Sequence, residues 1–413
     1  MSLFSFRRFQ ALVCDPYVVR RVLAGLLVIG AAVVIVLAAR DTAETTAARR
    51  GDFPAFWSMA VIASGENPQR LYDIELQRQI QNAAWPSLKG GLLPAAYPAQ
   101  LAFVLQPLAR FDHRVARWIW TGGALVTAFV AICLFSRGNS RIRWAPWMVF
   151  AVLCIFGPCL RGVVGGQVLP FMMCLFALVV MCGRRSSLWT DILLGALLGL
   201  WLVKPYYALC ALVVPVVQRR WVTLGSFAIV ALLSWWLGAT VAGPHWLSDW
   251  ITFSGQFAKL NVDTNAHQMP NLYAQVYRVL GGAGESGVLW WSVMVAAYAG
   301  LAAGVSALLG HTTIRALCAE PRRNSDYLFL FVLSLVVVAV PQVNFYDLGI
   351  VVCAVLALFD PQRLMDRFVV TVCLGISQIS VSPPLGLPLH FILGLAGLSY
   401  VCVRIRECVS VRC

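Results

Sequence analysis

The sequence predicts an all-α protein that crosses a membrane many times, and three observations carry that prediction. First, 60% of its 413 residues are hydrophobic and only 12% are charged, about half the charged share of a soluble globular protein. Second, the apolar residues gather into repeated runs separated by short Arg-rich pieces, and the mean hydropathy is +0.77. A chain of this kind has a bilayer as its solvent. Third, the runs lack strict alternation. Backbone in lipid must satisfy its own hydrogen bonds, so the spans are helices.

The basic lead with Arg7, Arg8, Arg20 and Arg21 is followed by an apolar run from Val22 to Ala39. That run is longer than a signal-peptide core, so an uncleaved first span is expected, with the N-terminus in the cytoplasm. Residues 40–95 then form a first outer loop. Within it, Pro54 to Ser64 reads as a short helix and Gly65-Glu66-Asn67-Pro68 as a turn. Leu71 to Ala84 has the amphipathic spacing of a helix lying at the interface. The run from Tyr97 to Ala109 carries two prolines and is too short to cross comfortably.

Further candidate spans lie near 117–135, 144–160, 167–182, 188–203, 205–218, 221–242, 286–310, 326–341, 346–360, 366–382 and 386–403. Arginine sets their direction. Arg137/Arg141/Arg143, Arg184/Arg185, Arg219/Arg220, Arg315/Arg322/Arg323, Arg363/Arg367 and Arg404/Arg406 all belong in the cytoplasm by the positive-inside rule. That is consistent only if 97–109 does not cross, giving about twelve spans (eleven to thirteen) in a single integral-membrane domain over 1–413. In this domain 1–21 is a cytoplasmic lead, 243–285 a second outer loop and 404–413 a cytoplasmic tail.

The net charge of +14 follows the same pattern, since the charges sit singly or in pairs between apolar runs. It describes membrane topology and not a nucleic-acid surface. The 13 cysteines are scattered through spans, and neither outer loop holds one, so they read as small buried hydrophobes. No P-loop, nucleophile elbow or supported dinucleotide fingerprint is present, which argues against nucleotide-driven chemistry.

The segments sent outward are rich in Asp, Asn, Gln, His, Tyr and Trp, so the site is expected on that face. Asp52 stands at the mouth of a span, just before a helix. It can be the N-cap of that helix or a general base for an acceptor hydroxyl. Lys204 lies in an apolar stretch at a Lys-Pro corner, where an ammonium must snorkel, pair, or meet an anion such as a lipid phosphate. Arg161 and the nearby Gly165-Gly166-Gln167 could join it, with glycine allowing close backbone approach. His245, Asp249, Asp263 and His267 match no compact ligand spacing, so no metal is expected and His267 is read as a phosphate or sugar contact. Asn344, Tyr346 and Asp347 open a late span and can line an outer cavity, Asp347 equally as a cap.

These residues belong to an ordered series. It runs Gly51-Asp52-Phe53, Gly65-Glu66-Asn67-Pro68 with Leu71-Tyr72-Asp73, Tyr97-Pro98 with Gln106-Pro107-Leu108, Gly166-Gln167, Lys204-Pro205, Asn271-Leu272-Tyr273 and Phe345-Tyr346-Asp347. In this series, across residues 45 to 360, the chain resembles glycosyltransferase family 87 of the GT-C superfamily. The resemblance implies a GT-C-like helical bundle with juxtamembrane helices in the first outer loop. It implies an inverting transfer of a hexose, often mannose, from a polyprenyl-phosphate sugar to a glycolipid or glycan acceptor, without a cofactor. It makes Asp52 the catalytic base and places the protein in the inner (plasma) membrane with its site outside the cytoplasm. Two positions depart from the pattern: Ala99 stands where a second proline is common, and Asn344 and Tyr346 where relatives often have histidine.

Two rival readings come from other classes. A transporter or flippase of lipid-linked sugars would place ionisable groups near the midplane and show inverted repeats, and no repeat is visible. A non-catalytic assembly partner would not need both Asp52 and Lys204.

Overall fold

The computed structural model describes residues 51–88, 91–139, 156–281, 287–379 and 388–412, with scattered helical positions within 25–37 and at 150 and 154. The lead with Arg7, Arg8, Arg20 and Arg21, most of the first apolar run, Arg49 and Arg50, Lys89, Arg141 and Arg143, and most of the 144–160 run lie outside the described residues. The described residues are helical, with no strand among them.

In order the helices are α1 (Phe53–Ser64), α2 (Ile74–Ala84), α3 (Ala99–Leu105), α4 (His113–Gly138), α5 (Gly157–Val164) and α6 (Leu169–Gly183). There follow α7 (Leu188–Leu200), α8 (Pro205–Ala211), α9 (Val213–Val217), α10 (Trp221–Ala242), α11 (Trp246–Asn265) and α12 (Leu272–Val279). The last six are α13 (Val288–Leu309), α14 (His311–Ala319), α15 (Ser325–Ala339), α16 (Leu348–Leu358), α17 (Leu364–Ile379) and α18 (Leu389–Arg412). Among the described residues α4, α10, α13 and α18 are long and apolar enough to cross a membrane, and α5 with α6 passes as one pair bent by 117°. Shorter apolar helices, α1 and α15 among them, accompany these. The protein is a polytopic helical membrane protein.

The 97–109 run folds as α3 and a 3-10 turn over Gln106–Arg110. A seven-residue helix is only about 10 Å long at 1.5 Å per residue, so this segment does not reach across a bilayer by itself.

The first outer loop departs from two helices lying on a surface. Nine residues of α1 are buried, including Phe53, Phe56 and Met59, so α1 is enclosed by protein. Its start suits the sequence, because Pro54 in the first turn gives up an N–H that would have no partner there. The amphipathic pattern from Leu71 also breaks differently. Asp73 caps α2 by accepting from the Glu75 and Leu76 amides, so the helix begins at Ile74 and leaves Leu71 in the preceding turn. Ile74 is exposed, while Gln77 and Gln81 are fully buried. Their amides work as a zipper: Gln77 bonds Leu71 and Ala95, and Gln81 bonds Ser58 and both backbone groups of Leu93. The inward side of α2 therefore sets two buried glutamines beside Leu76 and Ile80, which pack on the core, and the glutamines fix the extended segment that leads to Tyr97.

Elsewhere glycine sets helix separation. A Cβ on Gly195 would lie 2.2 Å from the Thr223 carbonyl oxygen, and one on Gly199 2.5 Å from Val230. Two glycines four apart let α7 lie directly on α10, the close packing that membrane helices favour. That contact holds the far end of α7, where the Lys204 corner begins. The eleven described cysteines are all free thiols.

Candidate functional site

Asp52 directly precedes α1, yet its side chain makes no cap bond with that helix. The carboxylate instead turns toward Tyr97, whose hydroxyl donates to Oδ2 at 3.2 Å. Tyr97 is held from two sides. Its ring packs edge-on against Phe56 with centroids 4.8 Å apart, and its carbonyl accepts from the Tyr72 hydroxyl at 3.0 Å.

Gln167 faces Asp52 from the α5–α6 elbow, its amide close enough to favour the ionised carboxylate. The glycines make this possible. The Phe53 amide donates to the Gly165 carbonyl at 3.3 Å, and a Cβ on Gly51 would lie 2.1 Å from that same oxygen. Gly166 sits at φ +72° with a Cβ position 2.7 Å from the Phe53 Cβ, a left-handed conformation that only glycine adopts freely. Trp120 donates to the Gly166 carbonyl at 2.8 Å, so the elbow is pinned to α4 as well as to α1.

Lys204 comes from the break between α7 and α8. Gln100 on α3 donates to the Leu202 carbonyl beside it. Lys204 is 3% exposed; its Nζ donates to Oδ1 of Asp347 at 2.5 Å and lies 4.9 Å from the Tyr346 ring centroid. Asp347 is fully buried, and its second oxygen accepts the Asn344 amide at 3.2 Å. Asp347 thus caps its own turn and holds Lys204 at once. The Tyr346 hydroxyl accepts from the Asn344 side chain at 3.1 Å, and its phenol lies near that of Tyr97.

Asp52, Tyr97, Gln167, Lys204, Tyr346 and Asp347 therefore form one group, drawn from five separated stretches of sequence. Burial raises the Asp52 carboxyl above the usual carboxylate range; Gln167, the Lys204 ammonium and Tyr97 pull it back, and Asp347 pushes it up further. Asp52 keeps partial access to solvent. Such a carboxylate is a better proton acceptor than an exposed one, and Lys204 with Asp347 adds no net charge beside it.

The other expected residues lie at the rim. Arg161 on α5 stands over the Phe345 ring at 5.4 Å, and His390 at the start of α18 packs on the same ring at 5.4 Å. His267 is exposed on a 3-10 turn after α11 and contacts Gln268. Asn271 is fully buried and ties the 243–285 segment to the late motif, donating to the Pro341 and Val343 carbonyls.

Sequence reading missed three residues here. Tyr97 was visible only as the partner of Pro98 in a motif. His390, whose Nδ1 is buried without a hydrogen-bond partner, was hidden inside an apolar run. Asn261 on α11 donates to Asn344 at 3.4 Å and left no signal, because a lone asparagine on a polar helix has none.

The opposite ends of the same helices carry a different chemistry. At the far ends of α6, α7 and α16, arginines pair with acids: Arg184 with Asp326 at 3.1 Å, Arg220 with Asp191 at 3.3 Å, and Arg404 with Asp366 and Glu407. Among the described residues, the polar group around Asp52 has no such arginine pairs within it.

No curated protein and no solved structure matches the chain. A family profile does. It covers residues 95–341, which include Tyr97, Arg161, Gln167, Lys204 and His267 but neither Asp52 nor the 344–347 turn. The match spans more than half of the sequence, and the chain belongs to glycosyltransferase family 87.

Proposed function

We propose that this glycosyltransferase moves a hexose, mannose by family resemblance, from a polyprenyl-phosphate sugar to a glycolipid or glycan acceptor, with inversion at the anomeric carbon. Asp52 removes the proton of the acceptor hydroxyl. The acceptor oxygen forms the new bond to the anomeric carbon as the bond to the phosphate oxygen breaks, and polyprenyl phosphate leaves with the electron pair. The observation that carries this reading is the Asp52 carboxylate: it makes no cap bond, keeps access to solvent, and is aimed by Tyr97 and Gln167.

Lys204 acts here mainly through its field, since Asp347 already holds its ammonium. The donor phosphate then lies on the Phe345 side, within reach of the Arg161 cation, which stabilises the charge that grows on the leaving group, and of His267 as a neutral hydrogen-bond donor. Asn344, Tyr346 and Asp347 form the wall between that phosphate and the base. The same reading keeps about twelve spans, both termini in the cytoplasm, and a site on the outer face of the inner membrane. It is supported by the segregation of arginine pairs to the helix ends away from Asp52.

The test is transfer in proteoliposomes holding the purified chain, polyprenyl-phosphate mannose and a crude glycolipid acceptor fraction. Transfer by the wild type and its loss in Asp52→Asn are expected. Equal transfer by the two proteins would remove Asp52 from the chemistry.

A further inference from the structure

The Phe345 ring is shared by two nitrogen-bearing side chains from distant parts of the sequence. The Arg161 guanidinium, on α5, stands 5.4 Å from its centroid. The His390 imidazole, at the start of α18, packs at 5.4 Å with the ring planes tilted by 48°. Arg161 and Phe345 are half-buried, whereas His390 is 1% exposed. Its Nδ1 is buried with no hydrogen-bond partner among the described residues. A buried nitrogen without a bond is costly, and a leucine would fill the same space without that cost. Packing against Phe345 therefore does not account for a histidine at this position.

The backbone here suits an anion. α18 is 24 residues long, and its Ile392 amide bonds the Pro388 carbonyl at 3.0 Å. The Leu389, His390 and Phe391 amides thus lie in the first turn, where a helix has no carbonyl of its own to offer and its dipole favours negative charge. The turn that carries His267 is close by: a Cβ on Gly394, one turn after His390, would lie 3.4 Å from the Pro270 carbonyl oxygen.

Beneath this cluster the chemistry changes to hydrocarbon. An apolar groove opens between α16, α17 and α18, lined among others by Leu348, Val352, Val355, Val369, Leu393 and Gly397. Leu348, Val352 and Val355 follow Phe345 by one to three helical turns, and Leu393 and Gly397 follow His390 by one and two, so each set continues the face of the residue above it. A polar seat for an anion therefore stands at the head of a channel for methyl-branched hydrocarbon. An anion that carries an isoprenoid chain meets both requirements, and inorganic phosphate meets only the first.

We infer that His390 is a further catalytic residue, which donates an imidazole N–H to a phosphate oxygen of the lipid donor beside Arg161, while the first isoprene units of the donor enter the groove below. The inference rests on the reading that the donor phosphate lies on the Phe345 side. As the bond between the anomeric carbon and the phosphate oxygen breaks, the electron pair stays on the phosphate. The guanidinium and the imidazole N–H meet that added charge, and no proton changes hands between them and the phosphate. A neutral imidazole suffices, since one of its ring nitrogens always carries a hydrogen.

The experiment is a binding titration of the purified full-length protein in one detergent with farnesyl phosphate, farnesol and inorganic phosphate, alongside thermal unfolding. His390→Leu should weaken farnesyl phosphate binding about tenfold, one charge-assisted bond being lost, and leave farnesol binding unchanged. Its melting point should hold or rise, because the unbonded nitrogen is gone. His390→Gln, which keeps a donor, should recover part of the affinity. Inorganic phosphate should bind at least about 100-fold more weakly than farnesyl phosphate, the buried hydrocarbon making the difference; equal affinities would overturn the lipid-borne ligand. A lower melting point in His390→Leu with unchanged affinity per folded protein would make the residue structural and overturn its role. Arg161→Met separates the two levels of the reading. If it weakens farnesyl phosphate while both His390 variants bind as the wild type does, His390 is no contact and the donor side stands. If none of the three variants weakens binding, the phosphate does not lie at Phe345 at all.

Discussion

Lys204 and Asp347 form an ion pair at 2.5 Å with side chains 4% and 0% exposed, and it joins the α7–α8 corner to the start of α16. A buried pair of this kind holds only when its remaining bonding capacity is met. Here Asp347 also accepts the Asn344 amide, and the Lys204 ammonium rests against the face of Tyr346. The pair is thus both a clamp between two halves of the chain and a fixed dipole beside Asp52.

Removing one partner should therefore cost more than removing both. Lys204→Met leaves a buried carboxylate without its cation, and the expected loss is about 3–5 kcal/mol of stability. Lys204→Met with Asp347→Asn should recover most of that loss. Thermal unfolding in one detergent, read for both single variants and the double variant, checks it. Additive losses would mean that the two side chains do not act as a pair.

Asp52→Asn separates chemistry from fold. The amide keeps an oxygen for Tyr97 and nearly the same shape, so α1 and the elbow should be undisturbed. Transfer should fall by at least about 10²-fold, the lower bound of what a positioned base contributes, while donor binding stays within about twofold, uniform binding being untouched. A matched loss of donor binding would place Asp52 in the binding of the sugar instead.

Much of this arrangement was legible in the sequence, and what was not has physical causes. The apolar runs gave the helices because lipid forces the backbone to bond within each segment. Asp52, Lys204 and Asp347 stood out because a charge in an apolar chain is costly and needs a reason. Their partners were not legible. That Lys204 pairs with Asp347 is a contact across 143 positions, and no local pattern encodes it. The two glutamines on the inward side of α2 escape a hydrophobic count, which takes glutamine for a solvent-facing residue. Here Gln77 and Gln81 satisfy backbone that has no strand to join.

Acid should switch the enzyme off at a pH above the ordinary carboxylate range. Burial raises the Asp52 carboxyl above 3.8, and a protonated carboxyl cannot accept the acceptor proton. Transfer rate should therefore rise with pH through that raised value. The sign for stability is the reverse. Because the folded state holds the proton more tightly than the unfolded chain, the ionised carboxylate costs stability once pH exceeds the folded value. Asp52→Asn should melt above the wild type at neutral pH, and the gap should close as pH falls toward 4, about the ordinary aspartate value. A gap that widened toward acid would show that burial lowers this carboxyl.

The elbow between α5 and α6 gives the last prediction. Gln167 meets Asp52 only because Gly51 and Gly165 let two backbones touch, and because Gly166 turns through φ +72°. Gly166→Ala meets two separate penalties. A non-glycine residue in that conformation costs about 1–2 kcal/mol, and its Cβ would be only 2.7 Å from the Phe53 Cβ. Gly51→Ala has no comparable φ, but its Cβ would lie 2.1 Å from the Gly165 carbonyl oxygen, and backbone cannot give way as a flexible side chain can. Both variants must push α1 away from the elbow, which draws Asp52 from Gln167 and weakens the Phe53-to-Gly165 bond. Gly122→Ala is the control, since nothing lies within 4 Å of a Cβ there. Thermal unfolding should drop in Gly51→Ala and Gly166→Ala and stay unchanged in Gly122→Ala. The folded fraction of the two elbow variants should also transfer sugar more slowly, measured as rate per folded protein. If either elbow variant kept both its melting point and its rate, α1 and the elbow would not be what aims Asp52.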